Sequence, residues 1–151
     1  MKKLFSMLFI ATLLGLMFTA CGDDKDEPEV PKSQNLESVH ESETDGYFVF
    51  DIDMTKNMGT IYMYNIQFAG APMTMTLRVT VPMTVDKSGK VYTMTGNNLV
   101  VEMQRGGSWT PMPDERYQLQ NLMCKVDTKA KDYSIAFDAH DGHFDESGKL
   151  Q

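Results

Sequence analysis

The densest run of chemistry-bearing side chains lies at residues 138–146, Asp-Ala-His-Asp-Gly-His-Phe-Asp-Glu. A strand ending there in a turn presents His140 and His143 together, with Asp141 or Asp145 as an oxygen donor. Such nitrogen and oxygen donors suit a weak zinc-type site. No spacing fixes a third and fourth ligand, and Asp-Gly is equally the composition of a solvated turn. Thioethers offer a second chemistry, because Met73-Thr74-Met75 has a spacing that suits Cu(I). On a strand, however, Met73 and Met75 share a face with Leu77, Val79 and Val81, and that face reads as core. Cys124 shares a face with Leu122 and Val126 and reads as a small buried hydrophobe. Ser108 has no nucleophile-elbow context, and Asp51 with Asp53 need only make a strand's outer side polar. No catalytic residue and no cofactor is assigned, so the chain reads as a non-enzyme. The remaining candidate is the tryptophan at position 109. Residues 106–113 read as a loop in which Trp109 and Met112 meet a ligand or partner. The alternative places Trp109 over one end of the fold as a plug.

The chain opens with Met1-Lys2-Lys3 and an apolar run over residues 4–20. A cationic start, an apolar segment and a small residue before a cleavage point form a secretory signal. Ordinary cleavage wants small residues at the last and third-last positions, and here these are Ala20 and Phe18. Phe18 is too large, whereas Phe18-Thr19-Ala20-Cys21 looks like a lipobox, in which the Cys21 thiol receives a diacylglycerol. Several acyl chains at about 0.8 kcal/mol per buried CH₂ hold a protein durably on a membrane. The acidic residues 22–29 resemble the surface-export signal of Bacteroidetes lipoproteins. The expected address is the outer membrane, at the cell surface in preference to the periplasmic face.

Composition divides the remainder. Residues 22–45 carry nine acids against two lysines, whereas residues 46–151 carry twelve acids and ten bases. The expectation is a signal peptide at 1–20, a lipidated cysteine with a flexible acidic tether at 21–45, and one domain at 46–151. His40 falls in the tether and reads as solvated. The near-neutral domain has no basic patch for phosphates, which excludes nucleic acid as a partner. Acylation of Cys21 leaves Cys124 without a disulfide partner, so packing alone must stabilise the domain.

Within the domain, apolar and polar residues alternate with the period of half-buried strands. Over residues 73–81 the odd positions are apolar and the even ones are Thr or Arg. Phe48, Phe50, Ile52 and Met54 oppose Val49, Asp51 and Asp53. Tyr62, Tyr64, Ile66 and Phe68 are read as the inward set against Met63, Asn65 and Gln67. Further strands are expected at 91–95, 99–105, 117–127 and 133–139, joined by Gly-, Asn- and Asp-rich turns. Pro82 marks an edge or a bulge. Seven or eight sequential strands argue for an antiparallel meander, closed or open as a barrel or folded as a β-sandwich.

With its lipobox, acidic spacer and the phrases IYMYNIQFAGAPM, DKSGKVYTMTG and YQLQNLMCKV, the chain resembles the calycin-like β-barrel lipoproteins of Bacteroidetes. The resemblance spans most of residues 46–140 and implies a calycin- or lipocalin-like barrel, not an activity. The expected function is a membrane-anchored envelope module, held by its N-terminal lipid, that binds a small apolar or glycan ligand or an envelope protein. The alternatives are a structural subunit of an envelope complex and a weak metal-binding protein. The large inward side chains favour a filled interior.

Overall fold

The computed structural model describes residues 32–42 and 44–151. The expected signal peptide at 1–20, the expected lipidation site Cys21 and residues 22–31 lie outside the described residues. Ten strands follow one another: β1 (Ser33–Glu37), β2 (Tyr47–Asp53), β3 (Met58–Ile66), β4 (Met75–Val85), β5 (Val91–Gly96), β6 (Glu102–Arg105), β7 (Ser108–Pro111), β8 (Gln120–Asp127), β9 (Asp132–Ala139) and β10 (Gly142–Lys149). A 3-10 turn at Glu115–Tyr117 precedes β8. All pairings are antiparallel, in the order β1-β2-β3-β4-β5-β8-β9-β10, with the β6–β7 hairpin branching from β4. The sheet curls through 234° into an open half-barrel. Of the architectures the alternation allowed, the open one is formed.

Two features produce this shape. β4 pairs with β6 through Leu77 and Arg78, then with β5 from Met83 to Val85. Pro82 falls between the two pairings, where a residue lacking an N–H leaves no rung of either ladder empty. The second feature is a seam. Ser38 bridges Leu150, Val39 N–H donates to Lys149 O at 2.8 Å, and Gln151 N–H donates to Glu37 O at 2.9 Å. The first and last strands therefore meet at one end only. Gln34 Nε2 reaches across to Tyr92 Oη at 2.9 Å, tying β1 to β5 inside the curl.

The concave face is filled by side chains. Phe48, Phe50, Ile52, Ile61, Met63, Leu77, Tyr92, Met94, Leu119, Cys124 and Val126 have no exposed surface. Each large apolar residue so buried contributes about 1.5–3 kcal/mol. Burial also pushes the Cys124 thiol far above its ordinary pKa, which keeps it inert.

Several expectations are corrected. The sheet starts at Ser33, so residues 33–37 belong to the fold and not to the tether. His40 is packed on Tyr47 at 4.1 Å between ring centres and is not simply solvated. In β3 the inward residues are Ile61 and Met63, while Tyr62 and Tyr64 face outward. The register shifts between Met63 and Ile66, where Asn65 takes a left-handed φ of 52°, and this bulge returns Ile66 and Phe68 to the core. Met73 is 64% exposed ahead of β4, whereas Met75 packs against the core. Most of residues 106–113 is not loop: Gly106 and Gly107, at φ 55° and 83°, turn a hairpin whose second strand carries Trp109, and only Met112 and Pro113 lie beyond it. β10 was not expected at all. Its neighbour turn is His140-Asp141, both left-handed, and the eight residues after it pair with β9.

Two exposed turns are fixed by carboxylates that act as hydrogen-bond acceptors. Asp86 receives the Ser88 hydroxyl and the Lys90 and Val91 N–H groups, and Asp114 receives the Arg116 guanidinium and N–H. These partners, Ser88 foremost for Asp86 and Arg116 for Asp114, hold both pKa values down at about 2 against an ordinary 3.8. The unfolded chain takes up these protons first as pH falls. The stabilisation is therefore complete above about pH 4 and is lost as pH drops towards 2. Urea midpoints should fall across that window, and the Asp86→Asn, Asp114→Asn double variant should show a flatter slope. An unchanged slope would remove both carboxylates from the acid response.

Candidate functional site

Two surface assemblies carry chemistry. The first is an aromatic row on the convex face of β2, β3 and β7. Register places Tyr47 opposite Tyr64 and Tyr62 opposite Arg78, which is in turn opposite Glu102. Partners across antiparallel strands share a face, so these side chains form one continuous outer stripe. His40 stacks on Tyr47 at 4.1 Å, and Tyr47 stacks on Tyr64 at 4.6 Å with planes 11° apart. Tyr62 follows at 6.3 Å, and Trp109 meets Tyr62 edge-on at 5.7 Å. Arg78 lies 4.7 Å from the Trp109 ring centre and donates to Glu102 Oε2 at 2.6 Å, which lifts its pKa. Cation–π and ion-pair contacts thus clasp the β6–β7 hairpin to β4. All four of Tyr47, Tyr62, Tyr64 and Trp109 are half-buried, and burial raises the Tyr64 pKa.

The second assembly is an open polar cleft of about 540 Å³ beside the β9–β10 turn. Glu115, Arg116, Gln120, Asp138, His140, Asp141 and His143 line it. A bulge in β8 between Gln120 and Met123, with Asn121 at φ 53°, aims Asn121 at its neighbour strand. Its Nδ2 donates to Asp138 Oδ2 at 2.8 Å, and His143 Nδ1 lies 2.6 Å from Asp138 Oδ1. Asn121 and then His143 hold the Asp138 pKa down, so the carboxylate is ionised. His140 bonds the Ala69 carbonyl at 3.0 Å and packs on Tyr117 at 4.8 Å.

No protein-family model, curated protein or solved structure matches this chain. Its function must be read from these two assemblies.

Of the residues singled out in the sequence, His140, Asp141 and His143 share the cleft, and Asp145 is not part of its lining. Asp138 takes the place expected of Asp145, as the carboxylate beside His143. Among the described residues, no three His, Cys, Asp or Glu side chains form a metal-holding group. Trp109 stands in the aromatic row, and Met112 packs partly buried against the core. Tyr47, Tyr62, Tyr64 and Arg78 were missed as site residues. Their signal was the clustering of tyrosines around 62 and 64 beside a tyrosine at 47, which a purely inward reading of β3 concealed.

Proposed function

We propose that this protein is an exported, lipid-anchored binding module that engages an envelope protein through the outer aromatic row. One observation carries the reading: large aromatic side chains are held rigid and partly exposed on the outside of a half-barrel whose inside is filled. Tyrosine, tryptophan and arginine dominate the energetics of protein interfaces, the two aromatic residues because each adds large contact area with little loss of freedom. A filled interior disfavours an apolar ligand within the curl. Both faces of Tyr47 are taken by His40 and Tyr64, so a sugar ring has no face of Tyr47 on which to stack. The curled antiparallel meander supports kinship with the calycin-like lipoproteins of Bacteroidetes. Cys21 is the proposed anchor, in the outer membrane and facing outward.

The decisive test places a photo-crosslinking amino acid at Tyr62 or Trp109 in cells that make the protein. The expected result is one discrete protein adduct, absent when the probe replaces exposed Met123 on β8. The same adduct from Met123 as from the row would end the proposal. Trp109 emission should stay unmoved by lipids and glycans, and a saturable shift would reassign the row to a small ligand. For the anchor, Cys21→Ser should abolish incorporation of labelled palmitate and release the protein from the membrane fraction. Retained label would refute lipidation at this position.

A further inference from the structure

We infer that one rim of the half-barrel docks on the phosphate-bearing headgroups of the membrane that carries the protein. The inference rests on the proposed lipid anchor and names the surface that the anchored domain turns to the bilayer. Four segments make this rim: the entry at Lys32 and the turns at 54–57, 86–90 and 128–131. Backbone hydrogen bonds chain them together. Met54 N–H donates to Lys32 O at 2.9 Å, and Met83 N–H, at the end of β4, donates to Asn57 O at 2.9 Å. Thr128 N–H donates to Lys90 O at 2.9 Å, and Leu150 N–H donates to Lys131 O at 3.0 Å. The rim carries Lys32, Lys56, Lys87, Lys90, Lys129 and Lys131, all exposed. Among the described residues the only other lysines are Lys125 and Lys149, on β8 and β10 beside the third turn. On the opposite rim Glu41, Asp45, Asp114, Glu115 and Asp141 stand against Arg105 and Arg116. The near-neutral sum over the domain conceals these two ends, because the lysines are scattered in sequence and gather only through the topology.

The positive end is not neutralised from within. Its turns set Asp53, Asp86 and Asp127 against six lysines, and each carboxylate accepts from backbone N–H groups of its own turn. Lys56 pairs with Asp53 at 2.9 Å, while the other five rim lysines have no ion-pair partner among the described residues. Lysines within a Debye length of anionic lipid, about 8 Å at physiological salt, each add to the attraction. The point of entry decides which end meets the bilayer. Cys21 precedes Lys32 by eleven residues, a reach of at most about 40 Å. Lys32 itself stands on the lysine rim, so the end nearest the anchor is the positive one.

The experiment attaches the purified full chain to phosphatidylcholine vesicles with or without about one-fifth phosphatidylglycerol. A fluorophore is placed at Ala130→Cys on the rim or at Thr44→Cys on the opposite one, both exposed, and is quenched by a spin-labelled headgroup. Cys124 is buried and takes no label. On the anionic vesicles the rim label should be quenched at least about threefold more than the other, and about 1 M salt should remove most of the difference. The triple variant Lys87→Glu, Lys129→Glu, Lys131→Glu should abolish the difference at an unchanged melting temperature. Equal quenching of the two labels would overturn the docking, as would a difference that survives the triple variant. Quenching indifferent to vesicle charge would also overturn it, and is the result expected if the rim instead holds the chain's own acidic residues 23–29. Flotation with both vesicle types but equal quenching spares the anchor and removes the docking. Flotation with the anionic vesicles alone removes the anchor and leaves the rim, and flotation with neither removes both.

Discussion

Replacing Phe50 with alanine should lower the unfolding free energy by about 3–5 kcal/mol. The ring is wholly buried, 5.2 Å from Tyr133 and 6.1 Å from Phe48 between ring centres. Its removal forfeits both the transfer energy and the contacts of surrounding rings that cannot follow it inward. Phe48 is further held by Phe144 and Tyr133, so the neighbours are not free to collapse into the gap. Domains of this size are stable by roughly 5–15 kcal/mol, so the variant should sit near the edge of folding. Guanidinium unfolding would read the change as a lower midpoint at constant slope. A loss below about 1 kcal/mol would mean that the interior is loosely filled, which would reopen the case for a ligand inside the curl.

The second large effect is at Gly142, the first residue of β10. A Cβ built there would lie 2.3 Å from the Ala69 Cβ and 3.6 Å from its Cα. A methyl group attached directly to backbone cannot swing aside, so Gly142→Ala must displace either β10 or the segment carrying Ala69. Overpacking of this kind costs about 1–3 kcal/mol. Ala69→Gly removes the opposing methyl, and the double variant should recover most of the lost stability. Melting all four proteins of this cycle measures the coupling, and simple additivity would show that the contact does not matter. Because Ala69 O also holds His140, the single variant should loosen one wall of the cleft as well.

The sequence made the strand class legible, and it made β2, β4, β5 and β9 legible in detail. In each, one face is apolar and the other carries Thr, Ser, Asp or Arg, so alternation has a single solution. β3 defeats that logic because Ile61, Tyr62, Met63 and Tyr64 are apolar in succession. Tyrosine can serve either face, and the bulge at Asn65 reverses the phase before Ile66. β10 was hidden for the opposite reason. An edge strand reading Gly-His-Phe-Asp-Glu-Ser-Gly-Lys carries polar residues on both faces, which suits an edge but resembles a loop. β1 was concealed by the acidity of its surroundings. The cleft was half visible: the spacing of His140 and His143 stood out, but Asp138 and Asn121 join them only through the pairing of β8, β9 and β10.

The one-ended seam between Ser38 and Leu150 has a mechanical meaning. Tension arriving through the residues that precede Lys32 enters β1 at Ser33, the end furthest from the seam. A load drawn away from the sheet there would fall on one rung at a time and peel β1 from β2, instead of shearing all five rungs together. Peeling stops at Ser38, which bonds both Phe48 and, through its bridge, the last strand. A pull from the N-terminal side would therefore draw first on β1, whose Gln34–Tyr92 bond and Leu36 packing are its ties to the core. On this geometry β1 would be the part that yields first, and the seam at Ser38 would set the limit of its travel.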